Sequence, residues 1–193
     1  QLERRHGIVA AVEGSIYQYT HGKIRDVLER ELPDALRQAY HGAWAKVFLA
    51  REQAGEDIPP EVLANHLFSG GEEEAALPYL KQSAERAKKM SAYREARKYW
   101  EQVDATIVQE STGRLERANI DVDLNLGRIY SNQGELDAAT ERYKKAFKAA
   151  KVRGDERSQG DALMALGAVL RSRNQWDGAL KLFEQSRLLY ERN

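Results

Sequence analysis

The sequence predicts an all-α fold: a right-handed α-solenoid of stacked helical hairpins, with a small N-terminal β-hairpin left over from a different domain. Three observations predict it. The C-terminal part superposes on itself at an offset of about 40 residues, a weaker copy of the same pattern runs upstream of it, and residues 1–58 follow another pattern altogether. At 193 residues the chain is long enough to bury a core either as one domain or as a short solenoid, so the internal period decides the fold class.

The elements follow in chain order. Ile8-Val-Ala-Ala-Val12, Glu13-Gly14-Ser15 and Ile16-Tyr-Gln-Tyr19 form two short apolar runs joined by a Gly-containing turn, which predicts two antiparallel strands. Helices are predicted at about 21–31 and 33–53, with Pro33 suited to a first helical turn and the loop Gly55 to Pro60 ending the second. A β-hairpin followed by helices is how a winged-helix domain finishes. Seven further helices are predicted at about 60–69, 73–89, 92–109, 114–132, 135–151, 156–173 and 176–191.

The repeat is carried by named pairs. Leu126-Gly127 falls on Leu166-Gly167, Tyr130 on Leu170, Asp137 on Asp177, Ala139 on Ala179, Tyr143 on Phe183 and Ala146 on Ser186. Small residues at Gly127 and Ala139 allow two helices to cross closely, and the rings Tyr143 and Phe183 are expected to fill the groove to the neighbouring hairpin. Asn132-Gln-Gly134 and Arg173-Asn174-Gln175 read as turns, and Arg153-Gly154-Asp155 as the link between hairpins. Upstream, Ala84, Ala87, Tyr93, Ala96, Trp100 and Val103 stand at matching offsets, as do Ala64, Leu67, Gly71, Ala76, Leu80 and Ser83.

This order of residues resembles the tetratricopeptide repeat, in its longer form of about 40 residues with a Gly-Asp link. The division it implies is 1–58, the end of a winged-helix-like segment with linking helices; 59–112, degenerate hairpins; and 113–193, two full repeats. A second resemblance covers most of residues 7–110. Tyr17-Gln-Tyr19-Thr-His21-Gly-Lys-Ile24-Arg25-Asp-Val27-Leu28, then Leu32-Pro33, Arg37, His41 and Leu63-Ala64-Asn-His66-Leu67, is similar to the stretch after the nucleotide-binding domain in bacterial signal-transduction ATPases of the STAND class. That resemblance implies a helical-repeat sensor of a larger regulator, which senses a protein, a peptide or a small molecule and alters how the ATPase core packs.

Composition narrows the function classes. Lys+Arg and Asp+Glu are equal at 30 each and interspersed, which disfavours a polyanionic partner such as nucleic acid. With no cysteine there is neither a disulfide framework nor a thiolate site, and a reducing cytoplasm is the expected location. No run approaches the roughly 18–20 apolar residues of a membrane span, and the start Gln1-Leu-Glu-Arg-Arg-His lacks the apolar core of a signal peptide. A start at Gln without an initiator Met is read as the boundary of a fragment. A last hairpin ending at Asn193 without a polar capping helix implies either further repeats or self-association through the C-terminal helix face.

Chemistry-bearing residues are few. His21, His41 and His66 form no His-x-x-x-His or Glu-x-x-His pair, so packing or capping is preferred and no metal is expected. His21-Gly22-Lys23 lacks both the upstream Gly and the hydroxyl residue of a phosphate loop, and no cofactor is expected. Glu72-Glu-Glu74 suits a helix N-terminus. Arg4, Arg5, Lys23 and Arg25 around the hairpin are diluted by Glu3, Glu13, Asp26 and Glu29, which argues against a DNA contact. Trp44, Trp100 and Trp176 are placed as core or hairpin-groove residues. No nucleophile and base can be assembled, so an enzyme is not expected.

The remaining inference is geometric. In stacked hairpins the first helix of each pair lines the concave face, so residues pointing away from the Leu-Gly stripe are the candidates. These are Lys81, Glu85 and Lys88; Asp121, Leu124, Asn125, Arg128 and Asn132; and Met164, Ala168 and Arg171. Their chemistry suits an extended peptide, or another segment of the same chain, with acidic or backbone hydrogen-bonding character. The alternative is a small-molecule inducer sensor, which requires an enclosed apolar pocket, for instance between residues 1–58 and the first hairpins.

Overall fold

The computed structural model describes residues 9–13, 16–19, 27, 31–109 and 116–192. Strands β1 (Val9–Glu13) and β2 (Ile16–Tyr19) pair antiparallel, Val9 opposite Tyr19 and Ala11 opposite Tyr17, with an irregularity between Ala11 and Glu13. Helices follow: α1 (Asp34–Gln53), α2 (Pro60–Ser69), α3 (Glu73–Lys89), α4 (Tyr93–Gln109), α5 (Glu116–Asn132), α6 (Leu136–Arg153), α7 (Glu156–Ser172) and α8 (Trp176–Glu191). The predicted helix at 21–31, His21 and the cations Arg4, Arg5, Lys23 and Arg25 lie outside the described residues.

The chain forms two compact units. The first comprises residues Gln1–Ile58 with Asn65–Glu73; the second comprises Pro59–Ala64 with Glu74–Asn193. In the first unit, α1 and the end of α2 approach at two glycines, for a Cβ on Gly70 would stand 2.9 Å from the Gly42 nitrogen. Beside that crossing the Nδ1 atoms of His41 and His66 are 3.2 Å apart, and Phe48 stands 5.2 Å from the His66 ring.

Four turns between described helices close alike. The N–H groups of Glu72, Ala92, Glu135 and Gln175 donate to the carbonyls of Leu67, Ala87, Tyr130 and Leu170, all at 2.9 Å, and the residue before each donor is left-handed: Gly71, Ser91, Gly134 and Asn174. This is the Schellman closure, which satisfies carbonyls that the helix end would otherwise orphan. The link Gly154-Asp155 repeats it, with Asp155 donating to Ala150 and then capping α7 through its side chain on the Ser158 N–H.

Inside each C-terminal hairpin the crossing is set by one glycine and one ring. A Cβ at Gly127 would stand 2.5 Å from Tyr143 Cε1, and one at Gly167 the same distance from Phe183 Cε1. Each ring thus lies against the glycine of its own hairpin, not only in the groove to the next. The core runs through Leu80, Ala84, Val103, Leu126, Ile129, Ala139 and Ala146, all essentially without solvent contact. Trp100 is buried as expected, but Trp44 is 38% and Trp176 61% exposed, which corrects their assignment to the core. Trp44 stacks on Phe48 of its own helix at 5.5 Å, and Trp176 is the first residue of α8.

Two outcomes test this packing. Alanine at Gly127 or Gly167 gains about 1 kcal/mol of helix propensity but must push aside the ring packed on it, so a net loss of about 1–2 kcal/mol is expected by urea titration. Ser91→Gly removes a left-handed serine in an exposed turn and is expected to raise stability by about 1 kcal/mol, read as a higher melting temperature.

Candidate functional site

The first helices α3, α5 and α7 present the predicted row. On α3, Lys88 Nζ bonds the Glu85 carboxylate at 2.6 Å and the Asn125 side-chain oxygen on α5 at 3.2 Å, while Asn125 Nδ2 donates to the Asp121 carbonyl at 2.9 Å. Four of the predicted residues therefore form one hydrogen-bonded chain that ties α3 to α5. Its charges are largely spent on one another.

Asp121 joins that chain through its backbone carbonyl alone, and its side chain is exposed. Of the others, Lys81 is half-buried, Arg128, Asn132 and Arg171 present exposed side chains, and Met164 is exposed on α7 between the two arginines in sequence. Arg128 and Arg171 make no ion pair among the described residues. Arg128 is close enough to act on the Tyr143 hydroxyl, whose pKa burial pushes up to about 12 while the guanidinium pulls the other way.

Sequence reasoning missed Asp161, the equivalent of Asp121 one repeat on. Its carboxylate accepts from the Tyr190 hydroxyl at 2.6 Å, and burial first, then this hydrogen bond, raises the Tyr190 pKa to about 12. The 40-residue register contains the signal for Asp161, but nothing in it indicates the tyrosine, because alanine occupies that place in the preceding repeat. The His41–His66 contact was missed for a similar reason, since the two residues are on different helices with no ligand spacing between them.

A second set of charges binds the stack together. Arg142 on α6 reaches Asp104 on α4 at 2.9 Å and Asp123 on α5 at 3.0 Å. Burial pushes the Asp123 carboxyl up, against the pull of Arg142. Arg97 on α4 lies 4.6 Å over the Tyr130 ring and bonds Glu101 at 2.8 Å and Glu135 at 2.9 Å; Arg173 returns to Asp137 at 2.5 Å. These arginines tie neighbouring elements of the stack together.

A polar cavity of about 440 Å³ opens where the hairpins link, lined by Ile120, Asp121, Arg153, Gly154, Asp155, Glu156 and Ser158. Among the described residues no three or more His, Cys, Asp or Glu side chains are grouped to hold a metal ion, and no helix is long and apolar enough to cross a membrane. Glu73 and Glu74 sit in the first turn of α3, where the helix dipole favours them.

Comparison with known proteins agrees with this architecture. Residues 116–192 match the family model described as the tetratricopeptide repeat. Among solved structures, a kinesin-light-chain-type protein of Podosopora anserina with nearly identical TPR-like repeats is 20% identical over 88% of this chain and 83% of its own, with a TM-score of 0.57. MamA of MSR-1 in form C2 is 20% identical over 88% of this chain and 98% of its own, at a TM-score of 0.46. A further MamA structure is 19% identical over 91% and 98%, at 0.44. No curated protein matches the chain in sequence. The fold of the helical stack is TPR-like.

The Arg142 cluster yields a double-mutant test. Arg142→Met leaves Asp123 buried without its cation and is expected to cost about 3 kcal/mol; adding Asp123→Leu should recover most of that loss. Chemical denaturation of the two single variants and the double variant measures both.

Proposed function

We propose that the helical stack is a noncatalytic scaffold that holds an extended protein segment along α3, α5 and α7. Tetratricopeptide repeats generally mediate protein–protein interaction, and one observation carries the assignment to this face. Of the candidate cations, Lys88 is held by Glu85 and Lys81 is half-buried, while Arg128 and Arg171 stand exposed without an ion pair among the described residues. A guanidinium left unpaired on a first helix is a ready fork for a carboxylate or a backbone carbonyl. Met164 adds an apolar contact, 44% exposed, on the same helix as Arg171.

The segment that fits is extended, with acidic side chains for the two arginines and an apolar one for Met164; Asn132 and Lys81 supply further donors and Asp121 an acceptor. Lys88, Glu85 and Asn125 support the groove by fixing α3 against α5. A small-molecule inducer is the weaker reading here, since Asp121, Asp155 and Glu156 at the cavity between hairpins are the wrong lining for an apolar ligand.

The wider reading places the chain as the sensor region of a larger cytoplasmic signal-transduction ATPase or transcriptional regulator. Its division is 1–58 as the end of a winged-helix segment, 59–112 as degenerate hairpins and 113–193 as two repeats. Its support is the residue run from Tyr17 to Leu67, together with the order of a β-hairpin, linking helices and repeats. The partner in that setting is another protein or another segment of the parent chain.

A peptide array that varies acidic and apolar content tests the groove. Acidic peptides with an apolar residue should bind the native chain, and Arg128→Glu or Arg171→Glu should each weaken them at least about tenfold, which is about 1.4 kcal/mol. Both positions are exposed, so the fold should survive, as circular dichroism would verify. Binding indifferent to both reversals would remove the groove assignment.

A further inference from the structure

One buried ring of the stack carries a polar group that no other side chain answers. Tyr143 is only 5% exposed, yet its hydroxyl makes no hydrogen bond among the described residues and is not sealed from solvent. Packing does not require that oxygen. Phe183 fills the same place one repeat later, with its Cε1 at the same 2.5 Å from the Cβ position of its glycine. A hydroxyl that the fold neither needs nor satisfies calls for an explanation outside the stack.

The hairpin crossing sets what lies beside it. Tyr143 Cζ, the carbon that bears the hydroxyl, is 2.9 Å from where a Cβ of Gly127 would stand, and the next residue of α5 is Arg128. The Arg128 guanidinium acts on the hydroxyl through its charge but forms no hydrogen bond with it. Neither carboxylate of the predicted row answers Arg128: Glu85 is bonded to Lys88 at 2.6 Å, and Asp121, two turns back along α5, makes no ion pair with it. Two groups with protons to give therefore converge without giving them to each other.

Their chemistry states what they can share. Burial pushes the Tyr143 pKa up to about 12, so at neutral pH the phenol keeps its proton and can donate it. A guanidinium only donates. The common partner is an acceptor, and the positive charge favours an anionic one. The next repeat lacks both halves at once, with Phe183 in place of the tyrosine and Ala168 in place of the arginine.

We propose that Arg128 and the Tyr143 hydroxyl form one anion subsite on the groove face of α5, which holds a side-chain carboxylate of the bound segment. The subsite rests on the groove assignment above and narrows it. One acidic residue of the segment is fixed at α5 by two donors, whereas the equivalent place on α7, between Ala168 and Phe183, offers none.

The probe is the tightest acidic peptide from the array, amidated at its C-terminus so that its carboxylates are all on side chains. Tyr143→Phe should weaken it about tenfold, the loss of one hydrogen bond to a charged group, by isothermal titration. The melting temperature of the free chain should stay level or rise, since no partner in the stack loses a bond. Replacing the peptide's acidic residues one at a time by their amides should, at one position, cancel the effect of Tyr143→Phe. The substitution should also cost little once Arg128→Gln is made, because the two donors share one carboxylate, while with Arg171→Gln the losses should add. Native-strength binding by Tyr143→Phe, where Arg128→Glu still weakens the peptide, overturns the subsite and leaves the groove assignment standing. A lowered melting temperature for Tyr143→Phe overturns it too, by showing that the hydroxyl serves the fold. Binding only of peptides with a free C-terminal carboxylate overturns the side-chain assignment, and an array without any acidic binder removes groove and subsite together.

Discussion

The stack depends on how closely two helices of a hairpin can approach, and that distance is set where an aromatic ring takes the space of a missing Cβ. Tyr143 lies on Gly127 and Phe183 on Gly167 with the same geometry, 2.5 Å from where a Cβ would be. From this contact follow the angle of the second helix, the short turn that joins the pair and the direction in which the next hairpin begins. The Schellman closures carry the same geometry from one helix to the next, because a left-handed residue in a fixed place returns the chain along nearly the path it came.

Within that frame the repeats exchange volume without changing shape. In one hairpin Ile120 and Ala150 share a buried cluster; one repeat later, Gly160 and Tyr190 occupy the same two places. The large residue has moved from the first helix to the second. Packing at native density tolerates such a swap because the sum is kept. It also has a chemical result, since the tyrosine brings a hydroxyl that reaches Asp161, and Ser186 donates to the Gly160 carbonyl at 2.8 Å. A residue on the groove face is thus fixed by a substitution whose first role is to fill space.

These two kinds of contact explain what was legible in the sequence. Helix positions were legible because they rest on local periodicity and on the Leu-Gly, Ala and ring register, which records the hairpin crossing directly. Exposure of the tryptophans was not, because it depends on whether another helix covers Trp44 or Trp176, and amphipathic spacing states only that one side of a helix is apolar. The row Lys81 to Arg171 could be placed on the correct helices from the register alone. Its contacts between helices could not: Lys88, paired with Glu85 on its own helix, also reaches Asn125 on another, and outside the row Arg142 joins Asp104 and Asp123 across three helices. The histidines show the same limit, for His41 and His66 acquire their relation only when α1 and α2 cross at Gly42 and Gly70.

The equal count of 30 basic and 30 acidic residues gives no hint of a partner, yet the structure divides those charges into two classes. Arg97, Arg142 and Arg173 each span from one helix to a carboxylate on another; their energy goes into the spacing of the repeats, and burial makes the Asp123 partnership costly to break. Arg128 and Arg171 have no such duty. A surface charge without an intramolecular partner contributes little to stability, so its place is open to selection by what the protein meets. The neutral total therefore conceals a set of arginines that tie helix to helix and, on the first helices, Arg128 and Arg171, which stand exposed without an ion pair among the described residues.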